Sequence, residues 1–116
     1  MTDPQLRLLK GTLDVLILKT LSWGPAHGYA ISRWLRQCSG DALRIEEGAL
    51  YPALRRLEER DLIESDWRVA ESGREARVYR LTRAGQQALA REVAAWNRYI
   101  KVFTRVLESR PQGALT

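Results

Sequence analysis

The hydrophobic positions of the chain follow helical spacing in four segments, and each segment predicts a helix. The first begins at Thr12, a residue type that often caps helices, and runs to about Ser22. Its apolar residues lie almost all the way round, which predicts cover on more than one face. Trp23, in the turn that ends this helix, is expected in the core. The second predicted helix spans about residues 26–37, and a short extended stretch follows at residues 43–45.

The third predicted helix, at about residues 47–60, has one apolar and one polar side. Its apolar stripe recurs at spacings of three and four residues and consists of Leu50, Ala53, Leu54 and Leu57. The opposite side presents Ala49, Tyr51, Pro52, Arg55, Arg56 and Glu59. We therefore expect this helix to bury its leucines and to expose its arginines.

Two runs of strand-like residues, 62–69 and 76–81, predict a β-hairpin joined by a polar connection that contains Gly73. The pattern places Trp67 in the core. It also predicts that the tip and one face of the hairpin are basic, through Arg68, Arg74, Arg77 and Arg80.

Thr82 is expected to cap a last helix of roughly 26 residues, or about 39 Å. Its apolar residues alternate at spacings of four and three, namely Leu89, Val93, Trp96, Ile100, Phe103 and Leu107. This heptad seam is typical of paired helices, and so small a core cannot cover it. We therefore expect a homodimer, with Leu13 and Ile17 of the first helix as further interface residues.

The order helix, helix, strand, helix, hairpin, helix predicts a fold that is mainly α within the α+β class. It is a winged helix-turn-helix with a long C-terminal dimerisation helix. The expected division is a winged helix-turn-helix DNA-binding domain at residues 1–81, a dimerisation helix at 82–110 and a flexible tail at 111–116. In this motif the third helix enters the major groove and the second braces the phosphates.

The charge distribution favours a polyanion as partner. The net charge is +5; residues 1–67 carry 9 Lys/Arg and 10 Asp/Glu, whereas residues 68–116 carry 10 and 4. DNA or an anionic membrane surface would match this excess, and a solvated basic surface is the alternative. Because no apolar stretch could span a membrane and residues 1–4 lack a signal-peptide pattern, we expect a cytoplasmic protein with no membrane partner.

The sequence argues against an enzyme. A single histidine, His27, and a single cysteine, Cys38, cannot supply an internal disulfide, a Cys/His zinc site or a Ser/His/Asp set. No glycine-rich phosphate loop is present. We therefore expect no catalytic activity, no metal and no cofactor.

Candidate DNA contacts come from three places in the predicted fold. They are Ala49, Tyr51, Pro52, Arg55 and Arg56 on the third helix, Arg74 and Arg77 on the hairpin, and His27 and Tyr29 at the start of the second helix. The arginines suit phosphates or a base edge, and the free N–H groups of a helix start favour a phosphate. Most of them have a structural alternative. In these alternatives Arg55 and Arg56 pair within their own helix, Arg74 and Arg77 are soluble turn residues, and Pro52 only stiffens the helix start. Likewise, the ring of Tyr51 folds over the hairpin, and His27 serves the helix start.

One position is a candidate for binding a regulatory ligand. Trp96 lies in the heptad seam, where its ring is either plain interface core or the wall of a pocket for a flat aromatic effector. Both interpretations are open at this point.

The chain also resembles PadR-type transcriptional regulators, particularly the short-tailed members with one C-terminal helix. The residues that carry the resemblance are 9–14 (LKGTLD), 21–31 (LSWGPAHGYAI), 46–58 (EEGALYPALRRLE) and 79–85 (YRLTRAG), within about residues 8–90. It implies a sequence-specific repressor of its own or a neighbouring operon, released by a small-molecule or stress signal. It also implies dimerisation through the last helix, packed on the partner's first helix.

The sequence departs from this resemblance at Ala49, where Ser is common in the family, so one potential hydroxyl contact to DNA is missing. The alternative function is a winged helix that binds an acidic protein instead of DNA, since a fold alone does not fix a function.

Overall fold

The computed structural model describes residues 11–115, in which helices alternate with the strands of a small antiparallel sheet. In chain order the elements are α1 (Thr12–Leu21), β1 (Ala26–His27), α2 (Gly28–Cys38), α3 (Glu47–Glu59), β2 (Ile63–Val69), β3 (Glu75–Leu81) and α4 (Arg83–Glu108). This arrangement confirms the predicted fold class. Residues 1–10 and Thr116 lie outside the described range. Leu9 and Lys10, which belong to the family resemblance, are among them, as are the start of the predicted DNA-binding domain and the last residue of the predicted tail.

The sheet has the strand order β1–β3–β2, and β2 and β3 form the predicted hairpin. We call this hairpin, residues 63–81, the wing. Its two strands pair from Ile63 opposite Leu81 to Val69 opposite Glu75. At the tip, Gly73 adopts a φ of 83°, a left-handed value that glycine tolerates without strain.

The third strand is not where the sequence predicted it. Residues 42–46 form no strand; instead Ala26 pairs with Tyr79, and His27 with Val78, directly before α2. A strand of two residues is too short to show an alternating pattern, which explains why the sequence did not reveal it.

The core lies between the helices and the base of the wing. Its largest fully buried side chains are Ile17, Ile31, Leu35, Leu50, Leu54, Leu57 and Ile63. All four residues of the predicted apolar stripe of α3 are buried. The burial of this stripe fixes which side of α3 faces the solvent.

Two tryptophans predicted to lie in the core are exposed instead. Trp23 is 73% exposed and Trp67 65% exposed. Trp23 follows the end of α1, where its ring contacts Lys19 with the ammonium 4.9 Å from the ring centroid. Trp67 lies in the outer half of the wing, which extends beyond the core. The predicted cap of α1 also moves by one residue, since Gly11 is the N-cap and Thr12 the first helical residue.

The start of α4 is fixed against the start of the wing. The Thr82 side chain accepts a hydrogen bond from the Gly85 N–H (3.0 Å), as a helix cap does, and donates one to the carbonyl of Asp61 (2.6 Å). A Cβ at Gly85 would lie 1.9 Å from the carbonyl oxygen of Leu62, so only glycine permits this approach. The predicted cap and length of α4 are confirmed.

Beyond its first two turns, α4 leaves the rest of the chain. Its buried residues are Gly85, Ala88 and Leu89, and every residue of the helix after Leu89 is exposed. The projecting helix gives the molecule dimensions of 68 × 38 × 22 Å. No helix within residues 11–115 has both the length and the hydropathy that a membrane span requires.

We predict that Thr82→Ala lowers the free energy of unfolding by about 1–2 kcal/mol, because both the cap and the bond to Asp61 are lost. Thr82→Ser keeps the hydroxyl and is expected to lose much less. Urea denaturation followed by circular dichroism, at a fixed protein concentration, measures the difference. Equal stability of the two variants would show that the hydroxyl does not hold this junction.

Candidate nucleic-acid interface

The solvent side of α3 carries the polar residues that the sequence placed there. Because helical residues repeat every 3.6 positions, burial of the leucine stripe turns Ala49, Tyr51, Pro52, Arg55 and Arg56 outward, and all five are exposed. Pro52 lies in the second turn, where its missing N–H costs the helix one hydrogen bond without ending it.

An open cleft of about 840 Å³ separates α3 from the wing. Its walls are the start of α2, the exposed side of α3 and the inner face of the wing; we call it the α3–wing cleft. It brings together five of the predicted DNA contacts, namely His27, Tyr29, Tyr51, Arg55 and Arg77. The other four, Ala49, Pro52, Arg56 and Arg74, lie outside its lining.

The neighbouring arginines of α3 have different surroundings. The Nη2 of Arg56 donates to Oδ1 of Asp14 on α1 at 3.0 Å, and the Asp14 side chain is largely buried. Arg55 makes no ion pair with any residue in the range 11–115. Asp14 was not among the predicted site residues, because a partner 42 residues away leaves no signal in local spacing. Arg56 thus joins α3 to α1, whereas the Arg55 guanidinium is available to an external anion.

Arg77 takes part in a network that ties the wing to α3. Its Nε donates to the Ser65 hydroxyl at 2.7 Å, and its Nη2 donates to Oε2 of Glu58 at 3.3 Å. The Ser65 hydroxyl in turn donates to the other Glu58 oxygen at 3.2 Å. Glu58 and Ser65 were not among the predicted site residues. The guanidinium also lies over the ring of Trp67, 5.8 Å from its centroid.

The other wing arginines correct the prediction of one basic face. Since Trp67 pairs with Arg77, and Glu64 with Arg80, these two arginines lie on opposite faces of the hairpin. Arg80 binds the carboxylates of both Glu64 and Asp66. The hydrogen bond and the charge of Arg80 hold the pKa of Asp66 below its usual value.

Two wing arginines are not held in ion pairs within residues 11–115. Arg74 at the tip and Arg68 on the outer face are exposed, and neither makes an ion pair within the described part of the chain. The positive charge that the wing offers to an external anion therefore comes from these two residues.

The first turn of α2 uses His27 as a structural residue. Its Nδ1 accepts a hydrogen bond from the Ala30 N–H at 3.1 Å and so caps the helix, as its structural alternative predicted. The ring also stacks on exposed Tyr29, with centroids 6.4 Å apart. Tyr29 is thereby placed at the mouth of the α3–wing cleft.

Tyr51 packs on the start of α2. A Cβ at Gly28 would lie 2.9 Å from the Tyr51 hydroxyl oxygen, so the missing side chain of Gly28 makes room for this ring. The ring is still 45% exposed. Gly28 was not among the predicted site residues, and the sequence does not distinguish it, because Gly48 also lies in the first turn of a helix and has nothing within 4 Å of an added Cβ.

The heptad seam of α4 is uncovered in the single chain, apart from its first residue. The exposed fractions from Val93 to Leu107 run from 39% to 69%, whereas Leu89 is only 9% exposed. The same helix exposes further apolar residues that the seam prediction left out, which are Tyr99, Val102 and Val106. The rings of Trp96, Tyr99 and Phe103 stack in series, with centroids 5.6 and 5.4 Å apart.

The two predicted interface residues of α1 differ in burial. Ile17 is 0% exposed within the core of its own chain and has no surface to offer to a partner, so we remove it from the candidate interface. Leu13 is partly exposed and stays a candidate.

Comparisons with known proteins place this architecture among transcription factors. The model of the transcriptional regulator PadR-like family matches residues 17–91. A PadR family transcriptional regulator from Eggerthella lenta is 34% identical, with a TM-score of 0.77 over 87% of this chain and 86% of that one. A transcriptional regulator from Clostridium thermocellum is 30% identical, with a TM-score of 0.76 over 83% and 93%.

A curated relative shows the same resemblance over a shorter length. A transcriptional regulator of Mycobacterium tuberculosis is 47% identical over 60 residues, which are 51% of this chain and 55% of that protein. The chain thus spans about half of this relative.

We predict that Gly28→Ala gives a free energy of unfolding about 0.5–1 kcal/mol lower than Gly48→Ala does, because displacement of the Tyr51 ring offsets the stabilisation that alanine brings to a helix. In a Tyr51→Ala background the same change is expected to cost little, and a thermal-denaturation cycle of the four proteins measures the coupling. Gly48→Ala is the matched control, since nothing lies within 4 Å of its added Cβ. An equal penalty in both backgrounds would rule out this contact.

Proposed function

Because the chain belongs to the PadR-like family of transcriptional regulators, we propose that it binds specific DNA sequences as a homodimer and represses transcription. The observation that carries this proposal is the exposed polar side of α3 beside the wing. The buried leucine stripe keeps that side exposed, and one arginine on each element, Arg55 and Arg74, makes no ion pair within residues 11–115.

The proposed contacts follow from which side chains are available. Arg55 on α3 and Arg74 at the wing tip make no ion pair within residues 11–115, so binding a phosphate would break no protein contact. Tyr51, with Ala49 and Pro52 beside it, is the part of α3 that we expect to meet bases and sugars. Tyr29, at the start of α2, adds a contact to the backbone.

Arg56 and His27, which already have hydrogen-bond partners within the protein, have a smaller part in this proposal. Arg56 would have to share its guanidinium with Asp14, and the Nδ1 of His27 is already used within the helix cap. We therefore expect phosphate binding to depend on Arg55 and Arg74 more than on these two.

A homodimer would cover the apolar face of α4. The uncovered seam includes Val93, Trp96 and Ile100, and so much apolar surface is unfavourable in water. Tyr99 and Val106 lie beside the seam and extend the exposed apolar surface around α4. The resulting surface is wider than the strip that one partner helix would cover. Pairing about a two-fold axis would present two α3 helices to successive turns of one duplex, about 34 Å apart.

Regulation completes the proposal. We expect the operator near the protein's own or a neighbouring operon, in the cytoplasm, with release by a small-molecule or stress signal. Trp96 is the ring that we expect beside such an effector, between the two terminal helices. The rival function, a winged helix that binds an acidic protein, would give no selection of a DNA sequence.

We predict that the protein selects a common sequence from a random DNA pool and that its affinity falls with salt at a log–log slope near −5 to −7, as expected for about 6–8 phosphates. Arg55→Ala and Arg74→Ala should each weaken binding and reduce the slope by about 0.9. Arg91→Ala on α4 is the control. No selected sequence, or unchanged affinity in both variants, would contradict DNA binding.

We predict that Ile100→Asp converts the dimer into monomers, because a charge would be buried in the seam. Ala94→Asp adds the same charge on the opposite side of α4 and should leave the dimer intact. Sedimentation velocity separates the two states. A dimeric Ile100→Asp variant would place the interface elsewhere.

A further inference from the structure

Resting on the proposed function, we propose that Trp67 is a DNA contact on the inner face of the wing, and that Arg77 is the positioning residue that holds it. This assignment replaces two expectations from the sequence, a core role for Trp67 and a phosphate contact for Arg77. Three observations carry it: the partners of Arg77, the exposure of Trp67 and the charges around the α3–wing cleft.

Arg77 is already bound within the protein. Its Nε and Nη2 donate to Ser65 and Glu58, and Glu58 supplies a carboxylate that offsets the guanidinium charge. A phosphate at this place would have to approach the same carboxylate. Arg74, at the wing tip, makes no ion pair within residues 11–115 that a phosphate would have to displace.

Trp67 has one ring face supported and a large exposed surface. The Arg77 guanidinium lies over its ring, and the indole is nevertheless 65% exposed. It lines the α3–wing cleft together with Tyr51 and Arg55, the residues through which we expect α3 to meet DNA. A rigid aromatic ring offers a flat apolar surface to a deoxyribose or a base edge, which supplies contact area with little loss of side-chain freedom.

The charges of the cleft favour an uncharged contact at this point. Besides Arg55 and the engaged Arg77, its lining includes the carboxylates of Glu58, Glu59 and Glu75. These carboxylates disfavour a phosphate in the cleft, except at the Arg55 guanidinium, which makes no ion pair within residues 11–115. A sugar or a base edge carries no net charge, so it fits the surface that Trp67 presents.

Two tryptophan variants test the contact, with the selected duplex as the probe. Trp67→Ala should weaken binding about tenfold, as truncation of an aromatic interface residue does, while leaving the salt slope unchanged, and Trp67→Phe should restore most of the affinity. The matched control is Trp23→Ala, which removes an equally exposed ring outside the cleft. DNA should also change tryptophan emission less in Trp67→Phe than in Trp23→Phe.

Two further variants test the positioning role. Arg77→Gln should weaken binding with little change in slope, whereas loss of a phosphate contact would reduce the slope by about 0.9. The direction of the change in DNA affinity in Glu58→Gln distinguishes the two interpretations. If Glu58 only repels DNA, removal of its charge would tighten binding. If the network positions the wing, loss of the carboxylate should weaken binding.

The outcomes separate this inference from the proposed function. Wild-type affinity in Trp67→Ala would overturn the contact, and tighter binding by Glu58→Gln with a reduced slope in Arg77→Gln would overturn the positioning role. If the wild-type protein selects no DNA, the proposed function itself fails. Thermal denaturation of each variant shows that the fold is retained.

Discussion

Burial of the leucine stripe of α3 is the constraint on which the DNA-facing surface depends. Leu50, Leu54 and Leu57 are almost fully buried, so the helix cannot rotate without exposing them. The helical repeat then places Tyr51 and Arg55 on the solvent side. Two neighbouring elements contact this helix. The start of α2 packs on it where Gly28 meets Tyr51, and the wing is joined to it by the ion pair between Arg77 and Glu58. The surface is therefore set by packing before any ligand binds.

The pairing of individual arginines matters more than the net charge of +5. Arg56, Arg77 and Arg80 each face a carboxylate of the same chain, and their contacts join secondary-structure elements or strands. Arg55 and Arg74 do not, within residues 11–115. Exposed ion pairs contribute little stability, about 0–1 kcal/mol each, so the paired residues act mainly by orienting the elements. Composition alone cannot distinguish these two groups, because the partners come from distant parts of the chain.

Sequence periodicity predicted what depends on repeated local spacing. The α3 stripe and the length of α4 follow from such spacing, the Thr82 cap follows from its residue type, and the structure contains all three. The errors have a different origin. β1 is too short to show alternation, and Trp23 and Trp67 were placed inside because large apolar residues are usually buried. The partner of Arg56 is 42 residues away. The site was thus predictable as a set of elements, but not in the tertiary contacts that decide which side chains are available.

The same contacts provide a mechanical connection between the proposed dimer interface and the DNA-facing surface. Thr82 and Gly85 fix the start of α4 to the chain at Asp61 and Leu62, directly before the wing. The network around Arg77 then fixes the wing to α3. Because both junctions connect neighbouring elements directly, a change in the angle between the two terminal helices of a dimer would move the wing and α3 together. A ligand that changed this angle would therefore alter the separation of the two α3 helices, without having to disturb either α3–wing cleft.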